Sequence, residues 1–209
     1  MDTHPFARCY QHLTALGDDA TYRLQLAQRY SYVLPEPHLV DAVARQSPLV
    51  EVGAGTGYWS YLLRQRGADV LAYDHSPLGG ERTNRYHFNL WPWFDVLEGD
   101  AAVAARHPDR SLFVCWPPLY SSLWNVLRYY RGDRVVYVGD RGQRTARLAG
   151  LENAFDMIER WDVTAMDPAP SGHAGLSIWG RRSPSAAPNR STLGRPVRPK
   201  RVGRRQATI

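Results

Sequence analysis

The run Leu49-Val50-Glu51-Val52-Gly53-Ala54-Gly55-Thr56-Gly57-Tyr58-Trp59 constrains this 209-residue chain more than any other stretch. A short apolar strand carrying one acid runs into three alternating glycines, and a helical pattern over Tyr58–Gln65 follows at once. Glycine at every second position lets the backbone turn tightly and approach a ligand, because no Cβ stands in the way. A strand, a glycine turn and a helix in succession set that ligand beside free backbone N–H groups at a helix start. The run therefore predicts a site for a nucleotide-like cofactor.

The rest of the chain supplies a frame for such a site. From Leu49 onward strand and helix patterns alternate. Strands are expected over Leu49–Val52, Asp69–Tyr73, Phe94–Leu97, Ser111–Cys115, Arg134–Val138, Phe155–Asp162 and Gly175–Gly180. Helices are expected between them over Tyr58–Gln65, Glu81–Asn89, Ala101–Arg106, Ser122–Tyr130 and Thr145–Ala154. This alternation predicts an α/β fold with a mostly parallel sheet and helices on both faces. The last two strands have only the Thr164–Ala174 loop between them, so they are expected as an antiparallel hairpin at the sheet edge. Residues 1–47 read as a mostly helical segment interrupted by Pro35-Glu36-Pro37, with a short helix over His38–Arg45. The expected division is a helical lid over 1–47, a core over 48–182 and a tail over 183–209.

Charge separates the tail from the rest. Arg181–Ile209 holds nine basic residues and no acid, so removing nine from the net +6 leaves residues 1–180 at −3. A mildly acidic core is not a surface built for a phosphate backbone. The tail, rich in Pro, Ser, Arg and Gly, cannot bury enough apolar surface to fold alone and reads as disordered. It is either a solvated end or a weak electrostatic arm for an acidic partner such as nucleic acid. No apolar run approaches the roughly 18–20 residues of a membrane span. Met1-Asp2-Thr3-His4-Pro5 lacks a secretory profile, and Cys9 and Cys115 imply neither a disulfide framework nor a metal site. A cytoplasmic location without a metal is expected.

The glycine spacing narrows the cofactor. A nicotinamide site prefers G-x-G-x-x-G, whereas Gly53, Gly55 and Gly57 follow G-x-G-x-G. Glu51 stands two residues before the first glycine, where a carboxylate suits an ammonium or sulfonium and suits a pyrophosphate poorly. Asp74 ends the second strand and can accept from both ribose hydroxyls. Asp100 follows the third strand, where it can meet an exocyclic amine of adenine. Either of these two acids also serves as a helix N-cap, a reading that the sequence leaves open.

This ordered set resembles the class I, Rossmann-like S-adenosylmethionine-dependent methyltransferases over roughly residues 30–180. The resemblance implies a seven-stranded, mostly parallel sheet with a C-terminal antiparallel hairpin and a helical N-terminal segment. It implies S-adenosyl-L-methionine as cofactor. The motif's acid and glycines fall on Glu51, Gly53, Gly55 and Gly57, the ribose acid on Asp74, and the adenine contact on Asp100 with Ala101 as backbone neighbour. Tyr32 lies where the family folds a lid over the donor and is expected to touch it.

The acceptor side is carried by the fourth strand, which runs into Trp116-Pro117-Pro118-Leu119-Tyr120. In an open α/β sheet this loop borders the ligand crevice. It resembles the D/N-P-P-Y/F/W motif of amino-group methyltransferases, but Trp116 replaces the acid or amide and Leu119 the aromatic. That departure argues against a nucleobase amine as acceptor. Trp116 and Tyr120 either wall the pocket or contact the acceptor. Asp140, at the end of the fifth strand, is favoured as general base over His75 and His173. The expected activity is methyl transfer to a small molecule or a peptide. A nucleic-acid methyltransferase using the basic tail, and a non-catalytic regulator that binds the donor, are the alternatives.

Overall fold

Leu49–Val52 forms the first strand, β1, with all four residues buried. A strand covered on both faces is the central strand of a parallel sheet. It pairs in parallel with β2 (Val70–Asp74) on one side and with β4 (Ser111–Cys115) on the other. β3 (Val96–Glu98) extends the sheet beyond β2, and β5 (Arg134–Asp140) lies beyond β4, both parallel. β7 (Ala174–Arg181) runs antiparallel to β5 and to β6 (Phe155–Asp162), completing the order β3-β2-β1-β4-β5-β7-β6. The seven-stranded sheet and its antiparallel closing hairpin are those the sequence predicts. The computed structural model describes residues 4–17, 19–87, 91–118, 123–140, 149–166 and 174–183. Tyr120, His173 and nearly all of the basic tail lie outside the described residues.

Alternate strand residues point to opposite faces and feed two apolar layers. Leu49, Val70, Phe113, Val136 and Ile178 face a layer covered by α1 (Pro5–Leu16), α2 (Ala20–Arg29), α3 (Pro37–Ala44) and α4 (Tyr58–Gln65). Val50, Tyr73, Leu112, Val135 and Trp179 face the other layer. That layer is closed by the 3-10 helix Ala101–Arg106, α5 (Leu123–Tyr129) and α6 (Ala149–Glu152). At the free edge β6 carries charged residues and a bulge between Met157 and Glu159, which discourages pairing with another strand.

One expected helix does not form. Among the described residues, 75–87 run through turns and bends instead of a helix over Glu81–Asn89. Asn84 accounts for this: its Oδ1 accepts from the N–H groups of Tyr86 and His87, and its Nδ2 donates to Ser76 O. A side chain that satisfies nearby backbone in this way competes with the helix, and Gly79-Gly80 weakens it further. The strand after it begins at Val96 and not at Phe94. The connection from β2 to β3 is thereby free to cross the carboxyl ends of the strands.

Candidate functional site

The strand order reverses between β1 and β4, and open α/β sheets bind ligands at that point, beyond the carboxyl ends of the strands. The turn leaving β1 lies there. Gly53, Gly55 and Gly57 all have left-handed backbones, with φ of 81°, 57° and 73°. Their faces differ in what they meet. A Cβ on Gly53 would find nothing within 4 Å, whereas one on Gly55 would lie 2.5 Å from His87 Nε2. One on Gly57 would lie 2.8 Å from Phe94 Cβ and from Val96 Cγ2. The face at Gly53 is open; the other two are roofed by the β2–β3 connection.

The three acids occupy different settings. Asp74 Oδ2 accepts from Gly55 N–H at 2.8 Å and Oδ1 from Ser76 N–H at 2.9 Å. A carboxylate has about four acceptor positions, so each oxygen retains capacity for a ligand hydroxyl. Asp100 is exposed and caps the 3-10 helix, accepting from Ala102 N–H at 2.9 Å, with Ala101 as that helix's first residue. The capping role left open in the sequence is thus occupied. Glu51 is 1 % exposed and lies beneath the turn. Its Oε2 accepts from Ser60 Oγ at 2.5 Å, and its carboxyl also bonds the Ser60 backbone. The N-cap of α4 is Gly57, which has no side chain, so Glu51 satisfies a first-turn donor that the cap residue cannot. Burial, with the nearby Asp74 charge adding to it, pushes the Glu51 carboxyl up to about 8, so it is neutral at pH 7.

His87 was not among the residues singled out from sequence, because it fell inside the expected helix. It is 8 % exposed, with its ring edge-on to Tyr32 at 5.9 Å between centroids. Three groups gather on the carbonyls that end α2. His87 Nδ1 bonds Gln28 O at 2.7 Å, Trp93 Nε1 donates to Arg29 O at 2.9 Å, and Thr56 Oγ1 donates to Tyr30 O at 2.6 Å. Helix-end carbonyls lack intrahelical partners, and these bonds tie α2, the glycine turn and the β2–β3 connection together. Trp93 N–H also donates to Thr56 O at 2.8 Å. The ring of Trp93 packs on Tyr30 and Tyr58 at 5.3 and 5.0 Å, while Trp91 stands 90 % exposed. Tyr32 thus borders the glycine turn through His87.

At the end of β4, Trp116 has φ of 51°, an unfavourable region for a bulky side chain, and its N–H donates to Val138 O at 2.7 Å. Cys115 precedes it; burial and, to a lesser degree, the Glu51 carboxyl push its thiol up, against a hydrogen bond with Ser31 that lowers it. Asp140 is 2 % exposed at the end of β5, two residues beyond the β4 partner Val138. Trp116 and Asp140 therefore lie on neighbouring strand ends. His75 is exposed beside Arg82, with Nη1 3.2 Å from its ring nitrogens. Among the described residues, no group of three or more His, Cys, Asp or Glu could hold a metal ion.

Five parallel strands ordered 3-2-1-4-5, an antiparallel 7-6 closure and a glycine turn after β1 together define a known architecture. This is the Rossmann-like methyltransferase fold. No family model matches the chain, and no curated protein matches it. Solved structures with the methyltransferase fold do resemble it. A TehB-like SAM-dependent methyltransferase from Corynebacterium glutamicum shares 18% identity, covering 85% of this chain and 96% of that one, with a TM-score of 0.47. Magnesium protoporphyrin IX methyltransferase from Synechocystis, with bound SAH, shares 12% identity, covering 82% and 97%, with a TM-score of 0.44. These likenesses concern the fold. Among the described residues no helix is long and apolar enough to cross a membrane.

Proposed function

We propose that this protein binds S-adenosyl-L-methionine and transfers its methyl group to a small molecule or a peptide. The observation that carries this reading is the open left-handed face of Gly53 at the point of strand reversal, beside an Asp74 carboxylate with acceptor positions to spare. In this reading Asp74 holds the ribose hydroxyls, Asp100 and the Ala101 backbone meet the adenine, and Gly53 allows close backbone approach. Gly55 and Gly57 shape the turn, and Glu51 supports it from below. Residues 1–47 cover the donor, with Tyr32 at the border.

When bound, the donor supplies an electrophilic methyl on a positively charged sulfur. Its transfer would be an in-line displacement in which the acceptor's lone pair replaces a neutral thioether, with Asp74 and the Gly53 backbone holding the donor and Trp116 bordering the acceptor. Such an in-line displacement gains most from positioning and exclusion of water. Asp140 takes the acceptor's proton where one must leave. The absence of an acid or amide at position 116 favours an acceptor other than a nucleobase amine.

The test is calorimetry with S-adenosylhomocysteine, followed by incubation of the protein and labelled donor with fractionated cell extract. Binding with label transferred to small molecules or peptides is expected. No binding overturns the reading; binding with no transfer to any fraction favours a non-catalytic donor-binding protein. Transfer to RNA or DNA that is lost when the chain is cut after Arg182 favours the nucleic-acid alternative.

A further inference from the structure

The His87 imidazole is fixed in one tautomer by its position. The Gln28 carbonyl can only accept, so the nitrogen bonded to it at 2.7 Å, Nδ1, must carry the proton. Nε2 of the neutral ring is then an acceptor with its lone pair exposed. That atom lies over Gly55, 2.5 Å from where a Cβ would stand, and has no hydrogen-bond partner among the described residues. Burial holds the ring's pKa below the usual histidine range, which keeps this acceptor form at neutral pH. The ring is only 8 % exposed, yet Nε2 is not closed off from solvent, so a ligand donor at the edge of the glycine turn can reach it. A purely structural histidine would need only its Nδ1 bond.

We infer that His87 is a donor-binding residue whose Nε2 accepts a hydrogen bond from a hydroxyl or ammonium group of the ligand seated at Gly53–Gly55. The inference rests on the donor reading above. It gives the β2–β3 connection a role: by failing to form a helix it brings an acceptor to the glycine turn. Ligands bearing N–H or O–H at that place are selected, and a group with only acceptors is disfavoured.

Two near-isosteric variants separate the ring's two nitrogens. His87→Asn keeps an amide donor at the Nδ1 position and removes the atom over Gly55. His87→Gln places an amide at the Nε2 position and gives up the bond to Gln28. Calorimetry with S-adenosylhomocysteine should show about 5- to 10-fold weaker binding for H87N, with little change in thermal midpoint. H87Q should bind within about twofold of the unaltered protein while melting at a lower temperature. Repeating the titrations with 5′-methylthioadenosine, which lacks the amino-acid end, identifies the donating group. A loss that persists assigns a ribose hydroxyl; a loss that disappears assigns the ammonium. H87N binding at full affinity overturns the inference, as does equal weakening in both variants matched by equal loss of stability. A measurement free of mutation is the nitrogen chemical shift of His87 Nε2, which should move on adding S-adenosylhomocysteine; an unmoved signal in a saturated sample also overturns it. If the unaltered protein binds no S-adenosylhomocysteine, the donor reading falls and this inference with it.

Discussion

Asp74 at the end of β2 accepts from the backbone N–H of Gly55 at 2.8 Å, so the carboxylate assigned to a ribose also holds the glycine turn in place. Removing it has two separable consequences. Asp74→Ala loses the bonds from Gly55 and Ser76 and should cost about 1–3 kcal/mol in urea denaturation. It should also weaken S-adenosylhomocysteine roughly tenfold or more, because hydrogen bonds to a charged acceptor contribute about 1.5–3 kcal/mol. Asp74→Asn keeps one acceptor oxygen, so its stability should fall less while affinity still drops. Unchanged affinity in Asp74→Ala would remove Asp74 from the donor site.

Glu51 makes stability depend on pH in a direction opposite to that of an ion-paired carboxylate. Its folded pKa is about 8 against an ordinary value of 4.5, so below pH 4.5 it is protonated in both states and its contribution is fully present. As pH rises from there to about 8 the unfolded chain ionises while the folded one does not, and stability falls. The slope from this one group is at most about 1.4 kcal/mol per pH unit. Glu51→Gln removes the titration and keeps a group able to accept from Ser60. Relative to the unaltered protein, it should gain stability between pH 5 and pH 9. Parallel urea-denaturation profiles for the two proteins over that range would contradict the buried neutral carboxyl.

The sheet was legible because its signals are local. Leu49–Val52, Tyr58–Gln65, Ser111–Cys115 and Phe155–Asp162 fall where periodicity and glycine punctuation place them. The placing of Asp74 and Asp140 at strand ends was legible for the same reason. What periodicity missed was the connection after β2. Glu81–Asn89 carries a helical spacing, but the Asn84 side chain diverts two N–H groups, and Tyr30, Tyr58 and Thr56 draw Trp93 across the turn. The Trp93 contacts join residues far apart in sequence and are invisible to a window. Glu51 shows the same limit: its place was read correctly, but its bond to Ser60 and its burial depend on α4 packing over it. Asn84 preceded by Gly79-Gly80 was the one local warning that the helix would not form.

Trp116 offers a test of backbone strain at the end of β4. Its φ of 51° costs a residue with a Cβ about 1–2 kcal/mol, and more if the side chain is β-branched. Asparagine tolerates this region and valine does not. Trp116→Val should therefore unfold at lower urea than Trp116→Asn, by about 1–2 kcal/mol, although valine is the more apolar replacement. The reverse order would mean that side-chain burial, and not backbone conformation, governs this position.

The closeness of His87 to Gly55 has an energetic signature that requires no ligand. Gly55→Ala meets two penalties: a φ of 57° that alanine adopts at a cost of about 1 kcal/mol, and a methyl set 2.5 Å from the imidazole Nε2. Only the second depends on His87. In a His87→Ala background the new methyl enters the space the ring has left, so Gly55→Ala should cost less there than in the unaltered protein. The difference should exceed about 0.5 kcal/mol, the threshold at which neighbouring substitutions cease to be additive. Purely additive losses in urea denaturation would show that the ring does not pack against the turn. A coupling confined to this pair, with none between Gly53→Ala and His87→Ala, is what one open face and one roofed face require.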